Sequence, residues 1–230
     1  MTDASPTQLA ALFDAERTAR KLHAEIVRAA AGGGAEAAAV LGALRKEADG
    51  ALALKDDAER ALRLTRIAGV LGDLQGAAAV DLLIDILACD EAEARHAAGE
   101  ALEGLAYDRF KEVALGVERA HHPRPSGSPA LSELPYMLAE IPEPGALKLL
   151  GQFLQHADAE AVAAAIEALA ELGDPSAAPM LTPLLSDKRV AQLEDDGGEE
   201  GKVTIGELAT EARSLLAEVE RAHSPGTRSR

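Results

Sequence analysis

Apolar and polar residues follow one another along this chain with the period of an α-helix. Between Glu91 and Leu105, apolar side chains recur every three or four residues, so that they share one helical face. The stretch from Ala77 to Ala88 has the same spacing. The apolar positions are Ala94, Ala97, Ala98, Ala101, Leu102 and Leu105 in the first stretch, and Val80, Leu83, Ile84 and Leu87 in the second. The pattern therefore predicts amphipathic helices.

The helical pattern repeats with a period close to 34 residues. Leucines at positions 71, 105, 138 and 172 hold equivalent places, and they lie 34, 33 and 34 residues apart. Each period contains two predicted helices, and one such pair cannot bury its apolar faces alone. Stacked copies bury these faces against one another, so the repeat predicts an all-α solenoid, also called an α-α superhelix. The first helices are predicted at Asp56–Val70, Glu91–Leu105, Ala130–Leu138, Asp158–Leu172 and Thr204–Val219, and the second at Ala77–Ala88, Arg109–Ala120, Gly145–Gln155 and Ser176–Ser186.

Residues 1–55 depart from the repeat. One long helix is predicted from Pro6 to Ala31, a run of three glycines follows, and a second helix is predicted from Ala35 to Ala48. We expect this region to be an N-terminal cap on the repeat array of residues 56–221, and a separate dimerisation hairpin is the alternative. The polar residues 222–230 are expected to form a disordered tail.

A small β-hairpin is predicted as an insertion at residues 188–205. Two short alternating runs flank the acidic, glycine-containing stretch of residues 194–200. This stretch is interpreted as a solvated acidic loop, with a docking element for a basic partner as the alternative. Thr204 and Glu207 have the spacing of a capping box at the start of the last helix.

Charge and composition narrow the possible partners. The formal net charge of −16 disfavours nucleic acid and anionic membrane surfaces. No apolar run approaches the roughly 20 residues that span a bilayer, and the first residues do not have the pattern of a secretory signal. The single cysteine, Cys89, ends an apolar helical run and is interpreted as a packing residue. These features favour a protein partner and a cytoplasmic location.

Two segments resemble a known repeat family. The run from Ala94 to Leu102 and the run from Leu172 to Leu185 resemble the inner helix, the turn and the outer helix of bacterial HEAT repeats of the phycocyanobilin-lyase-like type. The resemblance covers about residues 56–221. It implies a helical solenoid that serves as an interaction scaffold, and an accessory factor or lyase-type enzyme of this family is the alternative. A homo-oligomeric structural protein is a third reading.

Catalytic residues, cofactors and metal ions are not predicted. Deoxyhypusine hydroxylase, an iron enzyme built on similar repeats, has a glutamate directly after each ligand histidine, whereas Ala97 follows His96 here. His121 and His122 are adjacent, so on a helix they point about 100° apart and do not readily share one ion. Aromatic residues make up 2% of the chain, which disfavours a chromophore groove.

A candidate protein-binding stripe lies on the predicted inner helices. In solenoids of this type the inner helices line the concave face, and outside their apolar side they carry several basic side chains in the first repeats. We expect this basic stripe to bind an acidic or amphipathic segment of a partner protein. The alternative is a set of solvated charges that pair along the same helices with Asp56, Asp57, Glu59 and Glu93. The candidate residues are Arg60, Arg63, Arg66, Arg95, His96 and Glu103.

Overall fold

The computed structural model describes residues 6–121, 126–194 and 200–223, and it is an all-α solenoid with one small β-hairpin. The helices are α1 (Pro6–Ala31), α2 (Gly34–Leu52), α3 (Asp57–Gly72), α4 (Ala77–Leu87), α5 (Ala92–His121), α6 (Pro129–Ala139), α7 (Pro144–Phe153), α8 (Ala159–Leu172) and α9 (Ile205–His223). A 3-10 helix covers Pro175–Leu184, and the strands are β1 (Val190–Glu194) and β2 (Glu200–Thr204).

The helices stack so that one apolar core runs along the array. Helix α3 packs on α5, α6 packs on α8, and α8 packs on α9, while α4 and α7 cover the other side of the core. The core extends without interruption from Ala48 in α2 to Leu216 in α9, and most of its members are alanine, leucine, isoleucine and valine. Small alanine side chains allow the helices to approach closely, and Phe153 is the largest fully buried side chain.

The predicted helices at Glu91–Leu105 and Arg109–Ala120 are joined into the single helix α5. Arg109 alone leaves helical geometry, with φ −141° and ψ 48°, so the helix is kinked at this residue. The guanidinium of Arg109 donates to the carbonyl oxygen of Leu74 at 2.8 Å, and the carboxylate of Glu112 accepts from the main-chain N–H of Gly76 at 2.6 Å. Contacts with the preceding turn therefore fix the kink.

The predicted α-helix at Ser176–Ser186 is wrong in type, because this segment is a 3-10 helix. Proline occupies positions 175, 179 and 183, and the two internal prolines have no N–H for an α-helical hydrogen bond. The start of the segment follows the predicted pattern, since the side chain of Asp174 accepts from the N–H of Ser176 at 2.9 Å, and Pro175 follows it.

The predicted hairpin is present, with strand register Val190 to Thr204 and Leu193 to Gly201. Its tip, residues 195–199, lies outside the described residues. The capping box is confirmed, because the N–H of Glu207 donates to the hydroxyl of Thr204 at 3.2 Å, and the N–H of Thr204 donates to the carboxylate of Glu207 at 2.9 Å. The hydroxyl and the main-chain N–H of Thr204 hold the pKa of Glu207 below its usual value. Ile205, which the sequence predictions include in both the hairpin and the last helix, begins α9.

The N-terminal region has the two predicted helices, but they contact the array unequally. Helix α2 packs on α3 and buries Ala48 and Ala51, whereas no residue of α1 is buried in the described part of the chain. Residues 1–5 and 224–230 lie outside the described residues, and these include most of the predicted tail. Among the described helices, none combines the length and apolar character that crossing a bilayer requires.

Candidate functional site

Of the three candidate arginines of α3, Arg63 and Arg66 are exposed and Arg60 is partly buried, and each is close to a carboxylate. Arg60 donates to Asp57 at 2.6 Å and to the carbonyl oxygen of Leu54 at 2.9 Å. Arg63 donates to Glu59 at 2.7 Å, and a guanidinium nitrogen of Arg66 lies 3.8 Å from Glu16. The nearby acids therefore offset much of the positive potential expected along this helix.

The three remaining candidates lie in residues 92–108 of α5. Arg95 is about one quarter exposed, and it donates to Glu133 of α6 at 2.8 Å. His96 lies 3.5 Å from Glu100 in the surface pair that their spacing allows, and Glu103 is partly buried. The structure thus brings all six candidates to the first helices of neighbouring repeats, but all four arginines are in ion pairs with carboxylates.

Charge is distributed unevenly along the chain. Residues 1–72 contain ten acidic and ten basic side chains, so the whole net charge of −16 belongs to residues 73–230. Helices α6 and α8 contain no lysine or arginine. The solenoid is therefore nearly neutral in its first helices and strongly acidic in its later repeats.

Acidic side chains and two exposed tyrosines line the first helices of these later repeats. We call this set the acidic surface. These residues lie on residues 92–108 of α5, on α6 with its C-cap residue, and on α8. Within each helix they are three or four residues apart, so they share one side of that helix. The acidic surface consists of Glu100, Glu103, Tyr107, Tyr136, Glu140, Glu167 and Glu171.

The two tyrosines of the chain connect neighbouring helices of the acidic surface. The hydroxyl of Tyr107 donates to the carbonyl oxygen of Glu140 at 3.1 Å, and the hydroxyl of Tyr136 donates to the carboxylate of Glu167. Tyr107 is 55% exposed and Tyr136 is 40% exposed, so solvent reaches both rings. Partial burial, followed by the hydrogen bond and the negative charge of Glu167, raises the pKa of Tyr136 well above its ordinary value.

We expect Glu167→Gln to lower the pKa of Tyr136 toward its ordinary value of 10.0, because the phenolate would no longer face this negative charge. The chain has no tryptophan and two tyrosines, so ultraviolet absorbance of the phenolate reports the titration directly. Glu171→Gln is the matched control and should have a smaller effect, since Glu171 acts on Tyr136 through charge alone. An unchanged titration curve in Glu167→Gln would refute this arrangement.

A groove of about 900 Å³ adjoins the acidic surface and separates α1 from α3 and α5. Its floor is made of small residues, including Gly69 and Gly72 of α3 and Ala97 and Gly104 of α5. Its charged lining residues are Arg66, Asp73, Glu100, Asp108 and Arg109. The groove is therefore an open depression with walls of both signs, and the acidic surface continues from its edge at Glu100 toward α6 and α8.

Residues considered for chemistry from the sequence are placed in packed surroundings. Cys89 is buried, its thiol points to the carbonyl oxygen of Glu91 at 3.7 Å, and burial raises its pKa. His121 ends α5 and is 4% exposed, with ring centroids 4.9 Å from those of Phe153 and His156. His122 lies outside the described residues. In the described ranges, no group of three or more histidine, cysteine, aspartate or glutamate side chains could hold a metal ion.

Comparison with known proteins supports the repeat architecture over part of the chain. Residues 135–194, from α6 into β1, match the family model of HEAT repeats. No curated protein matches the chain significantly. These residues are therefore HEAT-type repeats, whereas the phycocyanobilin-lyase-like subtype stays a prediction.

Similar solved structures include engineered proteins. Two crystal structures of engineered proteins from the Northeast Structural Genomics Consortium are 19% and 22% identical to this chain, with TM-scores of 0.33 and 0.34. Each alignment covers 95% of this chain, and 94% and 95% of the engineered chains. A computationally designed armadillo repeat protein for modular peptide recognition is 15% identical, with a TM-score of 0.34, and the alignment covers 87% of this chain and 92% of that one. Likeness at this level supports no argument about function.

The acidic surface is not among the sequence predictions, although the sequence contains a signal for it. The net charge of −16 describes the chain as a whole, whereas all of this charge lies after residue 72, in the later repeats. Tyr107 and Tyr136 do not occupy equivalent places in the 34-residue period, so the repeat pattern does not pair them. Their contacts with the following helix are visible only after folding.

Proposed function

We propose that this chain is a non-catalytic protein-interaction module whose acidic surface binds a basic segment of another protein. The observation that carries the proposal is the position of two exposed tyrosines among glutamates on consecutive first helices, two of which contain no lysine or arginine. A rigid stack of helices presents these groups in a fixed arrangement, so binding orders only the partner segment.

Charge and aromatic contacts would act together at this surface. A partner lysine or arginine gains from Glu140, Glu167 and Glu171 by attraction, which increases the association rate and disfavours acidic competitors. The exposed rings of Tyr107 and Tyr136 offer faces for cation–π contact, which is worth about 0.5–1 kcal/mol at an exposed site. The rings are held by their hydroxyl hydrogen bonds, so little side-chain entropy is lost on binding.

Fluorescence anisotropy with labelled peptides tests this function. The probe is a short peptide in which arginine alternates with alanine, and its control has glutamate in place of each arginine. We expect the basic peptide to bind, with an affinity that falls as salt is added, and the acidic peptide not to bind. Equal binding of the two peptides, or no binding of the basic peptide at low ionic strength, would overturn the proposal.

The arginine stripe predicted from the sequence leads to a different partner, an acidic or amphipathic segment. If the stripe is the binding site, changing Arg63, Arg66 and Arg95 together to alanine should abolish capture of the native partner in an affinity co-purification. If the acidic surface is the site, the same variant should keep the partner. We expect retention, because carboxylates already pair with these arginines and a new ligand would have to displace them.

Two more specific hypotheses, one about an alternative function and one about the cellular location, accompany this proposal. The phycocyanobilin-lyase-like subtype suggests an accessory factor or lyase-type enzyme as the alternative function, and a chromophore or metal ion that co-purifies in stoichiometric amount would favour it. A cytoplasmic location is part of the proposal, because the single cysteine cannot form an internal disulfide and this fits a reducing compartment, and cell fractionation tests it.

A further inference from the structure

Helix α1 runs alongside α3, and two charged pairs link the helices. The ring of His23 lies 2.6 Å from the carboxylate of Asp73, and the carboxylate of Glu16 lies 3.8 Å from a guanidinium nitrogen of Arg66. Both pairs join residues that are 50 positions apart, so the two helices are parallel and keep one register. In this register the first turns of α1 and α3 stand level with each other.

The register places one stripe of α1 opposite one stripe of α3. Each stripe has four residues at spacings of four, three and four, which is the spacing of the contact seam between two helices that coil around each other. Each residue of the first stripe stands opposite the residue 50 positions later, and the two charged pairs are the second and fourth of these four levels. The stripes consist of Leu12, Glu16, Ala19 and His23 on α1, and of Leu62, Arg66, Gly69 and Asp73 on α3.

The apolar levels of the two stripes are not closed. Leu12 is 61% exposed and Leu62 is 53% exposed, although the register places them at the same height. A cavity of about 540 Å³ lies between the two helices, and its apolar walls include Ile26 of α1 and Val70 of α3. No residue of α1 is buried. The two helices therefore face each other with apolar side chains across a gap that water can enter.

Helix α1 is packed at its C-terminal end and free at its N-terminal end. Val27 and Ala30 pack against the core, whereas residues 6–15 are all exposed. Directly after the packed end, the chain turns into α2 through Gly33 and Gly34, with φ of 71° and 62°. Glycine adopts these positive φ values without steric cost, so the turn can change direction easily. The free half of α1 can therefore pivot about its packed end while α2 stays on α3.

We propose that α1 is a lid that closes on α3. The movement brings Leu12 against Leu62 and Ala19 against Gly69, while the two charged pairs keep the register. A methyl group placed on Gly69 would meet no atom within 4 Å, so the side chain of Ala19 has room to approach there. Closure removes apolar surface of both helices from water, and the ordering of the free half of α1 opposes it.

Closure of the lid changes the groove of about 900 Å³ on the inner side of the array. His23 and Arg66 line both this groove and the cavity between α1 and α3, so a movement of α1 alters the wall that the two spaces share. The lid therefore controls access to the α3 side of the groove. The acidic surface lies on α5, α6 and α8, so this inference does not depend on the proposed function.

Disulfide formation within the full chain tests the closure. Leu12→Cys with Leu62→Cys, oxidised at low protein concentration, should form an intramolecular disulfide. Asp14→Cys with Leu62→Cys is the matched control, because Asp14 lies about 200° around α1 from Leu12 at nearly the same height. We expect the first pair to link at least about ten times faster, since a disulfide needs Cβ atoms about 4 Å apart. Cys89 is buried and common to both variants.

A charge exchange tests the register separately. In the chain with Leu12→Cys and Leu62→Cys, Glu16→Lys should slow disulfide formation roughly fivefold, because an attraction to Arg66 becomes a repulsion. Glu16→Lys together with Arg66→Glu should restore the rate, since opposite charges face each other again. Equal rates for the two cysteine pairs overturn the lid. So do disulfide-linked dimers in place of the intramolecular bond, and a rate that ignores the charge exchange overturns the register.

Discussion

Changing Glu140, Glu167 and Glu171 together to lysine should lower the affinity for a basic peptide by about 100-fold. Each change replaces an attraction by a repulsion of similar size, worth about 1 kcal/mol at an exposed site. Three changes then cost roughly 3 kcal/mol, and every 1.4 kcal/mol is a factor of ten in the dissociation constant. Titration of the labelled arginine peptide into each purified variant, followed by anisotropy, measures the change.

The necessary control separates this surface from the charge of the whole protein. Glu36 and Asp49 of α2 and Glu143 before α7 are exposed and lie outside the acidic surface. Their change to lysine alters the net charge by the same amount, so it should reduce affinity only slightly. If both triple variants lose affinity equally, the peptide responds to overall charge and the acidic surface is not a binding site. Thermal unfolding of both variants confirms that neither has lost its fold.

Phe153→Ala should lower the free energy of unfolding by about 3–5 kcal/mol, the usual cost of removing a fully buried aromatic side chain. Phe153 is 0% exposed at the end of α7, and its ring meets the buried ring of His121 at the end of α5. The cavity would therefore open where two repeats join. Urea denaturation, followed by circular dichroism, measures the difference between the variant and the native chain.

Leu115→Ala provides the comparison for Phe153→Ala. Leu115 lies in the second part of α5 and is 46% exposed, so its truncation should change stability by no more than about 0.5 kcal/mol. Similar losses in the two variants would show that Phe153 is not part of a closely packed junction. A change in the slope of the denaturation curve would instead indicate that the repeats unfold separately.

The sequence alone determined the repeat period, most of the helices and many of their boundaries. Apolar spacing depends on the helix itself, so α1, α3, α4 and α8 begin and end within two residues of their predicted limits. The capping box of Thr204 and Glu207, the cap at Asp174 and the β-hairpin are equally local, since residues a few positions apart make their contacts. The match of residues 135–194 to HEAT repeats agrees with this part of the prediction.

Tertiary structure decided which charges remain available and which apolar faces are covered. Arg95 meets Glu133 across 38 residues of sequence, and Tyr136 meets Glu167 across 31 residues, so neither pair follows from helical spacing within one element. Whether α1 is exposed likewise depends on how much of this helix the first repeat covers. The amphipathic sequence pattern of α1 is the same in either case. Periodicity specifies which side of a helix is apolar, whereas packing between helices specifies what that side contacts.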